Sequence, residues 1–347
     1  MEKKDKVLTV VVPTYNMEKY LRRCLDSLIV SDEQMQMLEV LVINDGSKDT
    51  SSQIAHEYQD RYPQTFRVID KENGNYGSCV NRGLKEATGK YIKILDADDW
   101  YDNANFKKYL DTIKDLDVDL VLNDMQFVNP EGKKLRANKL PFPHCEEFQF
   151  FPTREKPGMH EIAYKTKNVR SIDYHQTEGI SYTDQQWIFA PMCKVRSAYY
   201  IPEIVYMYLY GREGQTMCRA ERYKTLNHRL ILIKGMLELY HKQQYEGDVA
   251  EWMKEKLLQT LSGSYRLILL ELMDDKNEYL IELDNYIKEN DPTIYKELVE
   301  CYVSDKLKYK FIKYWRKHHK LPQKRIINII KRIYLIAKGK SYIVSNM

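Results

Sequence analysis

Three carboxylates stand within four residues at Asp96-Ala97-Asp98-Asp99. So close together they repel one another unless a cation is shared between them. Mg²⁺ and Mn²⁺ favour a few carboxylates plus ligand phosphates over an all-protein cage. A cation held there would act as a Lewis acid on a diphosphate leaving group. The same run also reads as an acidic cap on the helix that follows. Asp45, in Val42-Ile43-Asn44-Asp45-Gly46-Ser47, offers a second carboxylate. It can accept a hydrogen bond from a base N–H such as uracil N3, or serve only as the turn former that Asp-Gly favours.

The elements that would position these residues alternate strand and helix. Leu8–Val12, Val40–Ile43, Phe66–Ile69 and Tyr91–Leu95 are short apolar runs rich in β-branched residues. Between them lie helical patterns, one capped at Asn16 and carrying Tyr20, Leu21, Cys24, Leu25 and Leu28, then Thr50–Arg61 and Gly77–Ala87. A helix near Asn105–Leu116 and a strand at Leu120–Leu122 follow. Such alternation predicts βαβ units and a mainly parallel central sheet flanked by helices. Ligands of such sheets bind at the carboxyl ends of the strands. Thr14 and Tyr15, Asn44 and Asp45, and Asp96–Asp99 all fall at such ends. Residues 125–215 have weaker periodicity, with a short strand at Ile204–Leu209. From about Arg219 the pattern is helical, with Leu226, Leu230, Ile233, Met236 and Leu237 on one stripe and Leu257, Leu258 and Leu261 on another.

The bulk numbers narrow the class. At 43% hydrophobic and 30% charged, the 347 residues describe a globular chain, not a disordered one. The six cysteines show no CxxC pair and no zinc spacing, so reduced thiols in a cytoplasm are expected. The charged start runs straight into a strand, unlike a signal peptide, and no apolar run approaches the ~20 residues of a membrane span. The 28 tyrosines suit sugar or nucleotide sites as well as cores.

Four blocks in order resemble the family 2 glycosyltransferases, inverting enzymes of the GT-A fold. They are Val11-Val12-Pro13-Thr14-Tyr15-Asn16, Val42 to Thr50, Glu72-Asn73-Gly74-Asn75-Tyr76-Gly77-Ser78 with Asn81 and Gly83, and Gly89-Lys90-Tyr91 leading into Leu95–Trp100. The resemblance covers roughly residues 7–215 and implies a bacterial cell-surface or exopolysaccharide type. By it, Thr14, Tyr15 and Asp45 hold the nucleotide base, and Asp96 and Asp98 serve ribose and metal with Asp99 beside them. Pro13, Asn73 and Asn81 complete the nucleotide-sugar set, with Asp98 and Asp99 as the metal residues for Mn²⁺ or Mg²⁺. Many members have Ala-Arg-Asn where this chain has Cys79-Val80-Asn81, so Lys71 or Lys93 would supply the charge near the diphosphate.

Ser181-Tyr182-Thr183-Asp184-Gln185-Gln186-Trp187 looks like the family's acidic-Asp-x-x-aromatic motif, with Thr183 in place of an acid. It makes Asp184 the candidate base; a helix cap at Thr183 or Asp184 is the plain alternative. Tyr208-Leu209-Tyr210-Gly211-Arg212 resembles the stretch in which Arg212 would meet diphosphate or acceptor, or brace the loop. The expected domains are a GT-A domain at 1–218, with a nucleotide-sugar half at 1–124 and an acceptor half at 125–218. A helical C-terminal region at 219–347 follows.

Residues 306–340 hold thirteen Lys and Arg and no acid, while the rest of the chain is net acidic. On a helical wheel Ile326, Ile329, Ile330, Ile333 and Ile336 share an arc opposite Lys324, Arg325, Lys331 and Arg332. That pattern suits an interfacial helix on anionic membrane, with Phe311, Tyr314 and Trp315 at headgroup level, or a terminal helix packed on its own domain. Nucleic acid has no recognition motif to support it.

The function expected is transfer of a sugar from a nucleoside diphosphate donor, UDP-linked, to a hydroxyl of a glycan or lipid-linked glycan at the inner face of the plasma membrane. Homo-oligomers remain open. A catalytically degenerate scaffold and a sugar nucleotidyltransferase are the rivals; the latter needs a Gly-rich phosphate loop where this chain has Pro13-Thr14-Tyr15-Asn16.

Overall fold

The computed structural model describes residues 6–142, 147–149, 157–212, 225–243, 245–272, 277–302, 309–320 and 329. The chain divides into two compact units, one of residues 1–218 with 238–252 and one of 219–237 with 253–347.

The first unit opens with β1 (Leu8–Thr14), α1 (Leu21–Asp26), α2 (Asp32–Met37), β2 (Leu38–Asn44), α3 (Ser51–Arg61), β3 (Phe66–Asp70), α4 (Asn75–Glu86) and β4 (Tyr91–Ile94). It continues through β5 (Trp100–Tyr101), α5 (Asn103–Ile113), β6 (Leu120–Val128), β7 (Lys134–Asn138), β8 (Glu147–Gln149), β9 (Ile162–Lys165), α6 (Thr166–Ser171), α7 (Asp184–Phe189) and β10 (Ser197–Leu209). The sheet order is β3-β2-β1-β4-β9-β6-β10-β5, with β7 on β6 and β8 on β10. The strands β3, β2, β1 and β4 pair in parallel. Antiparallel pairing enters where β9 inserts between β4 and β6, so the whole sheet is mixed.

Every residue of β1 and β2 is buried, which explains their unalternated apolar runs. Helix α4 lies close on β1, and a side chain at Gly83 would run into Val11 at 2.4 Å. β6 and β10 pair in parallel over most of their length and are longer than the sequence predicts. The register shifts twice between Ile201 and Tyr206, which breaks the period-two pattern that would have revealed β10.

Two predicted caps fall elsewhere. Asn16 does not cap α1; it takes a left-handed φ of 54° and its Oδ1 accepts from the Lys48 amide at 2.8 Å. It thus ties the loop after β1 to the loop after β2. Asp102 caps α5 by accepting from the Asn105 amide, which moves that helix two residues earlier.

Among the described residues the further α-helices are α8 (Leu226–Lys242), α9 (Gly247–Arg266), α10 (Asn277–Asn290), α11 (Pro292–Glu297) and α12 (Phe311–His318). In the second unit Leu230, Ile233, Met236, Leu257 and Leu261 are buried, as their stripes predict. Phe311 and Trp315 are also buried, and Trp315 meets the Tyr265 ring at 5.9 Å. These two aromatics pack a core and are withdrawn from the headgroup role expected of them. The amphipathic run 324–338 lies outside the described residues, apart from Ile329. Among the described residues no helix is long and apolar enough to cross a membrane.

Candidate active site

The loops at the carboxyl ends of β1, β2 and β4, with the start of α4 and the end of β10, enclose a cleft of about 330 Å³. Pro13, Thr14, Tyr15, Asp45, Asn73, Asp96, Asp98, Asp99 and Arg212 all line it. Thr14 is buried, whereas Tyr15 stands 46% exposed at the mouth.

Asp45 is 2% exposed. Its Oδ1 accepts from Lys71 Nζ at 2.5 Å, the Gly74 amide at 2.9 Å and Ser78 Oγ at 3.5 Å. Asn73 Nδ2 donates to the Asp45 carbonyl at 2.9 Å. Among the described residues every donor to this carboxylate reaches Oδ1, so Oδ2 has no described donor.

At the end of β4 a hydrogen-bond chain fixes two of the acids. Tyr76 OH donates to Asp96 Oδ1 at 2.8 Å. The Asp96 amide donates to Tyr206 OH at 3.2 Å, and that hydroxyl donates to Asp99 Oδ2 at 2.7 Å. The Leu209 amide closes on Asp99 Oδ1 at 2.6 Å. Burial, then the charge of Asp98, pushes the Asp96 carboxyl up to about 7, and burial with both neighbours raises Asp99 as well. Asp98 has a different partner: Arg212 Nε donates to its Oδ2 at 2.5 Å.

Among the described residues Asp96, Asp99 and His160 each bring one ligand atom into a group spanning 4.8 Å. His160 packs on Tyr206 and Tyr208 at ring distances of 4.5 and 5.1 Å, and its buried Nδ1 has no hydrogen-bond partner. Burial and the charge of Lys93 hold this ring far towards the neutral form, at about 3. Two crowded carboxylates and a neutral imidazole are a donor set that fits a divalent cation. Asp98, expected beside Asp99, lies outside this group.

Three predicted residues stand off the cleft. Lys93 is fully buried, with Nζ donating to Asn123 Oδ1 at 2.8 Å and to the carbonyls of His160 and Ile162 at 2.9 and 3.2 Å. Those acceptors use its three protons, so it cannot serve a diphosphate from there. Asn81 grips the 175–178 loop, with Nδ2 to Gln176 O at 2.8 Å and Oδ1 accepting from the Gln176 amide at 2.8 Å. Asp184 begins α7, and Gln185 Nε2 donates to its Oδ2 at 2.8 Å. Its charge acts on Asp96 and on the hydroxyls of Tyr76 and Tyr208, all three of which line the cleft.

Thr183 makes no side-chain cap. It is buried, and its Oγ1 accepts from Gln176 Nε2 at 2.7 Å, so it anchors the turn before Asp184. Sequence reasoning gave no role to Tyr76, His160 or Tyr206. Tyr76 was visible inside the third block. The other two arrive from β10 and the turn before β9, where no local pattern marks them.

Residues 9–182, half of the chain, match the description "Glycosyl transferase family 2". The chain belongs to glycosyl transferase family 2. It is similar to the uncharacterized glycosyltransferase MG025 of Mycoplasma genitalium, 26% identical over 60% of this chain and 70% of that protein. Glycosyltransferase GlyA of Streptococcus pneumoniae is 34% identical over 37% of this chain but only 18% of GlyA. TarS of Staphylococcus aureus, a poly(ribitol-phosphate) beta-N-acetylglucosaminyltransferase, is 25% identical over 81% of this chain and 49% of its own length. This family 2 chain therefore spans less than half of TarS and under a fifth of GlyA. Residues 1–349 of TarS, solved with UDP-GlcNAc, share its fold with a TM-score of 0.69 at 19% identity. That likeness covers 97% of this chain and 93% of the other, including the helices that follow the sheet. The protein is a glycosyltransferase of the GT-A fold.

Proposed function

We propose that this enzyme moves a sugar, with inversion, from a UDP-linked donor to a hydroxyl of a glycan or lipid-linked glycan in polysaccharide biosynthesis. The observation that carries the reading is a single cleft lined by Asp45 at one strand end and by Asp96 and Asp99 at another, with His160 grouped with those two acids. Asp45 Oδ2 suits a uracil N3–H, with Pro13, Thr14, Tyr15 and Asn73 around the base. Asp96, Asp99 and His160 would hold Mn²⁺ or Mg²⁺, which would supply Lewis-acid neutralisation of the departing diphosphate. Arg212 adds a cation from the β10 end.

Asp184 is the base in this reading. As the acceptor oxygen bonds to the anomeric carbon, the carbon–oxygen bond to the diphosphate breaks and Asp184 takes the hydroxyl proton. Attack opposite the leaving group inverts the anomeric centre. The basic run 306–340 would bring the enzyme to anionic membrane carrying lipid-linked acceptors, a role supported by its sequence pattern alone.

Calorimetry against UDP-, GDP-, CDP- and dTDP-sugars, each with and without Mn²⁺, tests the donor assignment. Cation-dependent binding confined to a UDP-sugar is expected. Tighter binding of another nucleotide, or none at all, would overturn it.

A further inference from the structure

We infer that His160 is a direct protein ligand of the cation and makes the site prefer a transition metal over Mg²⁺. The inference rests on the reading of the cleft as a cation-assisted donor site and adds the residue that chooses the ion.

The first observation is placement. One ring nitrogen of His160 lies with carboxylate oxygens of Asp96 and Asp99 inside 4.8 Å. The second is independent of the first: the buried Nδ1 has no hydrogen-bond partner. A buried polar atom without a partner costs about 1–3 kcal/mol. That nitrogen is therefore not spent on a hydrogen bond that holds the fold.

The neighbours of His160 hold the ring still. Its faces pack against Tyr206 and Tyr208. Its backbone carbonyl accepts from Lys93 Nζ at 2.9 Å, and Lys93 is in turn fixed by Asn123. The buried lysine thus acts as a positioning residue for the loop that presents the imidazole. Asp98 could have provided a third oxygen, but it is paired with Arg212. The group that remains has two oxygens and one nitrogen. Mg²⁺ is a hard ion that favours oxygen, whereas imidazole suits the later divalent metals.

The test uses the full chain with Mn²⁺, Co²⁺ or Mg²⁺ as probes, with and without UDP. Pulsed electron paramagnetic resonance of the Mn²⁺ complex should show coupling to a directly bound nitrogen, absent in His160→Ala and His160→Gln. Both variants should lose about tenfold or more in Mn²⁺ and Co²⁺ affinity, as losing a coordinating or supporting group does. Their Mg²⁺ affinity should change far less. Absence of nitrogen coupling in the wild type overturns the inference without any variant. So does equal loss for all three ions. A wild type that binds no cation even with UDP overturns it too, and UDP titrated alone then reports whether the donor cleft itself stands.

Discussion

Arg212 Nε donates to Asp98 Oδ2 at 2.5 Å, with both side chains largely buried, so one acid of the Asp96–Asp99 run is neutralised by the protein itself. The guanidinium also lies 5.3 Å from the Tyr20 ring centre, which steadies it over the cleft mouth. The pair splits the three acids into one held by arginine and two left facing His160.

That division gives two opposed expectations for Arg212→Ala. Without nucleotide, Asp98 loses its ion-pair partner beside Asp96 and Asp99, and divalent cation affinity should rise. UDP affinity should fall about tenfold, or about 1.4 kcal/mol, because the diphosphate loses a cationic partner. Separate titrations of Mn²⁺ and UDP read the two effects. A parallel fall in both would mean that Arg212 only braces the loop.

Asp45→Ala should weaken UDP binding by about 1.5–3 kcal/mol, the worth of a hydrogen bond to a charged acceptor. Any preference for UDP over CDP should shrink with it, since cytosine has no N3–H to donate. Lys71 loses its 2.5 Å partner in the variant, so a thermal melt must accompany the titration. Unchanged discrimination in a folded variant would assign Asp45 to turn formation alone.

These two sites differ in how they could be read from the chain. Asp45 and the Asp96–Asp99 run stand at strand ends within about a hundred residues of alternating pattern, so local periodicity located them. His160 and Tyr206 come from the part of the sheet where antiparallel β9 and the bulged β10 enter, and only tertiary pairing brings them to Asp99. Lys93 shows the opposite failure. A lysine three residues before the acid run suggests a phosphate ligand, but strand alternation cannot say that Asn123 and two carbonyls wait for it on the buried side. The Arg212 contact with Asp98 joins the last strand to the fourth and had no local signature beyond its motif.

Asn81→Ala tests the loop that presents Asp184. Asn81 makes two hydrogen bonds to the Gln176 backbone, and Gln176 Nε2 holds Thr183. Loss of the side chain should cost about 1–3 kcal/mol of stability at these part-buried bonds. Turnover should fall while UDP affinity holds, because Asn81 lies outside the cleft. Weakened UDP binding with normal turnover would instead place Asn81 among the donor contacts.

Asp70 offers a pH test. Burial raises its carboxyl, but bonds from His56, Asn44 and Ser52 outweigh this and hold it below its ordinary value. A carboxyl depressed in the folded state stabilises it above the unfolded value and loses that contribution as pH falls through the folded one. Asp70→Asn should therefore lower the melting temperature near neutral pH, and the gap to wild type should close below about pH 4. A constant gap down to low pH would show that shape, not charge, matters there. Asn44, which donates to Asp70 at 2.7 Å, directly precedes Asp45.

Asp184→Asn separates binding from chemistry. Asp184 opens α7, anchored through Thr183 and Gln176, and does not itself line the donor cleft. Removing a base that acts only on the acceptor proton should leave the affinity for UDP-sugar unchanged. Turnover should fall by about 10²–10⁴, the usual worth of positioned proton transfer. The change keeps the shape of the side chain, so the fold and the bond from Gln185 should be little disturbed. UDP release with water as surrogate acceptor, measured alongside donor calorimetry, reads both quantities. Retained turnover would remove Asp184 from the chemistry and leave it as the first residue of a helix. A loss of donor affinity equal to the loss of rate would place its charge at the cation, where it already acts on Asp96.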